Sequence, residues 1–163
     1  MKSGIEQQIE ACSRGYAEIN LDYIIDNMKN MKKHLAPGTK MTAVIKADAY
    51  GHGAEAIAKA LEPYDFLYGF AVATAEEAHV LRKNGIAKPI LILGYTFPYA
   101  YEQLITEEIR PAVFTTEMAE MLSECGVRAG KKVKVHVKVD TGMGRIGCFP
   151  EEASALARLI TEA

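Results

Sequence analysis

A parallel α/β fold is predicted for this 163-residue chain from three observations. Short apolar or β-branched runs alternate with amphipathic helical patterns, at about 20 to 25 residues per pair. Little chain is spent between them. A lysine and a glycine-arginine loop stand where two of those runs end, on the side of a parallel sheet where α/β enzymes collect their chemistry.

Taken in order, Tyr16 to Ile19 reads as an extended piece, after which Asn20 can cap a helix. Leu21, Ile24, Ile25, Met28, Met31 and Leu35 share one face of that helix, and Pro37-Gly38 stops it. Met41 to Lys46 is a strand, followed by a helix carrying Ala54, Ile57, Ala58 and Leu61. Phe66 to Val72 is the second strand. Thr74 with Glu77 makes a capping box for a helix that ends before Gly85. Pro89 to Gly94 is a buried-type strand, with a weaker helix from Tyr99 to Ile105. Pro111 to Phe114 is the fourth strand, backed by Met118, Met121, Leu122 and Cys125. Val133 to Asp140 is the fifth, and its helix runs from Pro150 to Thr161.

Five such units with right-handed crossovers fit two architectures. One is an open flavodoxin-like sheet, complete at this length. The other is the first five units of a (β/α)8 TIM-type barrel, which typically takes about 250 residues. Length alone favours the open sheet.

Composition narrows the function classes. Hydrophobic content of 49% and charged content of 25% suit a soluble globular protein. Nineteen basic and 21 acidic residues give a net charge of −2, with no basic block to follow a phosphate backbone, which argues against nucleic acid as a partner. No apolar run approaches the roughly 20 residues of a membrane span. The first ten residues lack the apolar stretch of a signal peptide. Cys12, Cys125 and Cys148 have no paired spacing, so a reducing, cytoplasmic setting is expected. His34, His52, His79 and His136 make no metal-ligand pattern, and no metal is expected.

Lys46 carries the first chemical signal. Lysine is seldom buried without a partner. At a strand mouth a desolvated amine can form a Schiff base, although a lysine that reaches out to water fits the same position. The second signal is Lys138-Val139-Asp140-Thr141-Gly142-Met143-Gly144-Arg145-Ile146-Gly147. Residues 142–147 match GxGxxG, but the helix signal starts later, and Glu151-Glu152 would repel a phosphate placed at its N-terminus. A rigid loop presenting Arg145 fits better, since a guanidinium offers a fork to carboxylate, phosphate or phenolate oxygen. An ion pair between Arg145 and Asp140 is equally compatible with the spacing. Lys138 and Asp140 fall on one face of the fifth strand, alternating with Val137 and Val139. A lysine facing a barrel interior would need neutralising.

Ile45-Lys46-Ala47-Asp48-Ala49-Tyr50-Gly51-His52-Gly53 and the 138–147 segment together closely resemble the two signature segments of the alanine racemases. The resemblance implies a (β/α)8 barrel followed by a β-rich domain, a head-to-tail homodimer, pyridoxal 5'-phosphate as cofactor and alanine as substrate. It implies that Lys46 carries the cofactor and is the base for the D-enantiomer. Tyr50 would bond the cofactor phosphate, and Arg145 would lie near the phenolic oxygen and the substrate carboxylate. Lys138 corresponds to a lysine often found carbamylated, which would hold Arg145. Asp48 stands where asparagine is common, and its charge could raise the amine's pKa.

On this resemblance, residues 1–15 are an N-terminal extension and 16–163 a partial cofactor-binding barrel domain. The opposite-face tyrosine base belongs to a second domain of the partner subunit, so a chain ending after the fifth unit is expected to be inactive alone. A serine racemase of the same family and a non-catalytic pyridoxal-phosphate-binding barrel are the alternatives within this chemistry. A self-contained flavodoxin-like binding module is the alternative outside it.

Overall fold

The computed structural model describes residues 15–162. The extension expected over 1–15 lies outside the described residues apart from Gly15, as does Cys12. Residues 15–20 form no strand, so the extended piece at Tyr16 to Ile19 pairs with nothing described. Helix α1 (Leu21–Lys33) starts where Asn20 Oδ1 accepts the amides of Asp22 at 2.9 Å and Tyr23 at 3.3 Å. Its Leu21, Ile24, Ile25 and Met28 pack on the core, but Met31, expected on that face, is half exposed.

Strand β1 (Met41–Val44) leads into a short turn, α2 (Lys46–Gly51), and then α3 (Ala54–Leu61). Next come β2 (Leu67–Val72), α4 (Ala75–Lys83) and β3 (Ile90–Ile92). A 3₁₀ turn at Pro98–Ala100 opens α5 (Tyr101–Thr106), which precedes β4 (Arg110–Val113). Helix α6 (Thr116–Ala129) stops at Gly130, whose φ of 62° is the left-handed closure that glycine permits. Strand β5 (His136–Val137) and α7 (Ala153–Glu162) complete the series.

The five strands are all parallel and follow the order β1-β2-β3-β4-β5. A flavodoxin-like sheet reverses its order at a switch point. This one advances strand by strand and curls, as the opening half of a (β/α)8 barrel does. One face packs on the helices: Phe70, Ile90 and Ile92 are fully buried with Ala58, Leu61 and Leu81, each large side chain contributing about 1.5–3 kcal/mol. On the other face Val44 is 45% exposed.

Four of the five expected strands come out shorter: the second starts at Leu67 rather than Phe66, and the third, expected over Pro89 to Gly94, is Ile90–Ile92. The first ends at Val44 rather than Lys46, because the chain turns at Lys46 after Ile45 N–H donates to Ala71 O at 2.9 Å. The fifth, expected over Val133 to Asp140, is reduced to His136–Val137, because β4 offers it only Ala112 and Val113. Its alternation is nonetheless real, since Val133, Val135, Val137 and Val139 all pack on the helix side.

Candidate active site at the strand mouth

The C-terminal ends of the strands build the site. At Lys46 the backbone leaves the ladder and winds left-handed through Ala47 (φ 51°), Asp48 (52°), Ala49 (52°) and Tyr50 (57°). Four consecutive non-glycine residues in this conformation cost roughly 1–2 kcal/mol each. Gly51 and Gly53, at φ 85° and 88°, let the chain escape into α3.

Specific bonds hold the turn. Ala49 N–H donates to Ile45 O at 2.9 Å, and Gly53 N–H to Asp48 O at 3.0 Å. Ala54 N–H donates to Asp48 Oδ1 at 2.8 Å, so the Asp48 carboxylate serves the N-terminus of α3, where negative charge is favourable. Among the described residues Asp48 forms no ion pair with Lys46. Ala47 N–H donates to Glu77 Oε1 at 2.8 Å across 30 residues of sequence.

Lys46 then lines a pocket of about 280 Å³ between Ala73, Leu93, Gly94 and Tyr95 at the ends of β2 and β3, and Arg145 and Ile146 of the glycine loop. Gly94 is required there, because a Cβ would lie 2.4 Å from Ala73 O. The Tyr95 ring is fixed by Phe97, edge-on at 4.8 Å, and by Phe114 at 6.1 Å.

The loop that presents Arg145 is closed by its own acid. Asp140 Oδ1 accepts Gly142 N–H at 2.9 Å, and Oδ2 accepts Gly144 N–H at 2.8 Å. These backbone bonds hold the Asp140 carboxyl below its ordinary range. Its carboxylate is thus spent on the backbone and does not pair with Arg145. The two amides are unavailable to a phosphate, and α7 opens only at Ala153, so GxGxxG is no dinucleotide fingerprint here. Gly147 (φ 133°) packs its backbone on Asp140, where a Cβ would lie 2.5 Å from the Asp140 nitrogen.

Of the four residues singled out by sequence, Lys46 and Arg145 meet at the pocket. The Tyr50 ring stands beside them, 6.0 Å from Lys46 Nζ and largely exposed. Lys138 lies half-buried on the extension of β5, its N–H donating to Val113 O at 2.9 Å and its charge close to Asp140, but it does not line the pocket. Ala73, Leu93, Gly94 and Tyr95 were not singled out, although each follows a strand end.

A sequence profile described as "Alanine racemase, N-terminal domain" matches residues 19–163. The chain belongs to the alanine racemase N-terminal domain family. The alanine racemase of Desulfovibrio desulfuricans is 46% identical over 145 residues, covering 89% of this chain and 39% of that protein. That of Clostridium perfringens (strain ATCC 13124) is 47% identical over 137 residues, covering 84% and 35%. The solved alanine racemase of Clostridium difficile 630 in complex with cycloserine aligns with a TM-score of 0.84 at 43% identity, over 88% of this chain and 40% of that one. A histidine racemase from Leuconostoc mesenteroides aligns at 0.78 and 29% identity, over 88% and 38%. The chain thus spans well under half the length of these racemases.

Proposed function

We propose that this chain forms the lysine-bearing part of a pyridoxal 5'-phosphate-dependent alanine racemase. The observation that carries the reading is that Lys46 and Arg145, from the two signature segments, line one pocket with their side chains in no hydrogen bond or ion pair among the described residues. The donor set fits the cofactor: a primary amine for its aldehyde, a guanidinium for its phenolate, a phenol that would meet its phosphate, and a wall kept open by Gly94. When bound, the cofactor supplies an electron sink that makes the α-proton of an amino acid removable. Lys46 would hold the cofactor and, as a free amine, take or return that proton on the D face. Arg145 would hold the phenolic oxygen and orient the substrate carboxylate, and Tyr50 would hold the phosphate. Lys138, if converted to a carbamate, would give Arg145 an anionic partner that Asp140 does not supply.

Alanine as substrate is supported by the names of the relatives, although one structural neighbour is named a histidine racemase. The whole enzyme is read as a cytoplasmic homodimer providing D-alanine for peptidoglycan. Among the described residues no helix is long and apolar enough to cross a membrane.

The test is borohydride reduction of the chain incubated with pyridoxal 5'-phosphate, followed by peptide mapping. The pyridoxyl group is expected on Lys46 and is lost in Lys46→Ala. Labelling that persists in Lys46→Ala, or none in the wild type, overturns the reading. D-alanine formation by the purified chain is expected to be undetectable.

A further inference from the structure

Glu77 reads from sequence as a helix-capping residue, and the structure shows it doing something else. In a capping box the N3 carboxylate reaches back to the amide of the N-cap residue. Thr74 is the N-cap of α4, and its Oγ1 accepts Glu77 N–H at 3.3 Å as expected. The Glu77 side chain, however, passes the Thr74 amide. Its Oε2 accepts Ala73 N–H at 2.7 Å, and its Oε1 accepts Ala47 N–H at 2.8 Å. Both oxygens end on backbone amides of different strand ends, and Glu77 is in no ion pair among the described residues.

The position of these bonds in the ladder gives them meaning. The last rung between β1 and β2 is Ile45 N–H to Ala71 O. A parallel ladder continued by one step would pair Ala73 N–H with Ile45 O and Ala47 N–H with Ala73 O. Both donors go to Glu77 instead, and Ile45 O takes the Ala49 amide from within the turn. The carboxylate therefore replaces two rungs, and the strands part where the pocket begins. Lys46 is the residue between the last rung and the first strutted amide. Ala47 is also the first of the four left-handed residues, so Glu77 fixes the point where the strain starts.

We propose that Glu77 is a positioning residue, whose carboxylate ends the β1–β2 ladder and sets the direction in which Lys46 presents its amine to the pocket. This rests on the reading of Lys46 as the cofactor-bearing amine. Carboxylate-to-amide bonds are charge-assisted and stronger than neutral ones. The side chain sits on α4, a regular helix anchored by buried Ala78 and Leu81, so it is a stiff strut.

The test compares Glu77→Ala, Glu77→Gln and Thr74→Ala, the last removing the helix cap while leaving the strut. In the cofactor-free chain, amide exchange at Ala47 and Ala73 should accelerate at least tenfold in Glu77→Ala relative to Thr74→Ala, with β3 and β4 unchanged. The rate of borohydride-trapped labelling of Lys46 by pyridoxal 5'-phosphate should fall at least tenfold in Glu77→Ala. It should recover partly in Glu77→Gln, which keeps one acceptor oxygen, and stay at the wild-type rate in Thr74→Ala. Equal labelling in Glu77→Ala and wild type, or equal loss in Thr74→Ala, overturns the proposal. If the wild type does not label, the functional reading fails, and unaccelerated Ala47 exchange then overturns the strut by itself. Should Glu77→Ala not fold, Glu77→Gln against Thr74→Ala carries the same comparison.

Discussion

The two loops that face each other across the pocket solve the same problem in opposite ways. The Lys46–Gly53 turn keeps four non-glycine residues left-handed and, besides its own backbone bonds, is tied down from outside, by Glu77 of α4 and by the core around buried Ala49. The Asp140–Gly147 loop puts glycine at its positive-φ positions 142, 144 and 147 and is held from within, by the carboxylate of Asp140. A group held from outside has its direction set by distant elements. A group held from within can be moved as a unit with its loop. The amine thus belongs to the frame, and the guanidinium to an insert docked on it.

The largest expected effect breaks the insert. In Gly147→Ala the new Cβ meets Asp140 backbone at 2.5 Å, with no flexible side chain to give way, and the φ of 133° is hostile to alanine as well. We expect a loss of about 2 to 3 kcal/mol in urea unfolding, with the Val139–Cys148 bridge opened. A neutral result would mean that the insert is not docked as the backbone contact indicates.

Next in size is the link between the turn and α3. Asp48→Ala removes the one side-chain acceptor at that helix N-terminus among the described residues and should cost about 1 kcal/mol, as loss of an N-terminal cap does. Asp48→Asn keeps an acceptor oxygen and should fall within a few tenths of a kcal/mol of wild type. An Asn variant as unstable as the Ala variant would show that charge at the helix end, not the bond, is what matters.

These loops also mark how far sequence carries. Burial periodicity reveals the strands and helices because it depends only on which face meets the core. Val133 to Val139 shows the limit: the facing was legible, but strand length depends on the partner, and β4 pairs only two residues. The barrel progression is likewise a matter of strand order, which alternation does not encode. Lys46 and Arg145 stood out in the sequence through the two signature segments taken together, since a lysine at a strand end by itself fits a water-facing role as well. The left-handed turn was not legible, because Ala47 to Tyr50 contains no glycine to betray a positive φ. Glu77 was half legible, as a cap. Its strut role needs the end of β1 to lie beside α4, a long-range fact.

The strain itself can be tested with a change of the opposite sign. Ala47→Gly removes a Cβ from a residue at φ 51°, where glycine is unstrained. Against this stands the greater freedom of glycine in the unfolded chain, worth roughly 0.5–1 kcal/mol. The net expectation is a gain of up to about 1 kcal/mol in urea unfolding, which a glycine almost never gives elsewhere in a chain. Destabilisation by Ala47→Gly would remove the contrast between a strained turn and a relaxed loop.

The smallest effect is confined to the insert and depends on pH. The Asp140 carboxyl is held below its ordinary value, first by the Gly142 amide and then by that of Gly144, and further by the charge of Lys138. A group whose folded-state pKa is depressed stabilises the fold above its unfolded value, near 3.9, and that contribution disappears as pH falls through the lowered value. Acidification from pH 5 towards 2 should therefore speed amide exchange at Gly142 and Gly144. Asp140→Asn cannot titrate, so its exchange at the two glycines should lose this pH dependence after correction for intrinsic exchange. Should the two glycines keep their acid response in Asp140→Asn, the loop would not be held from within, and its difference from the lysine turn would be one of sequence alone.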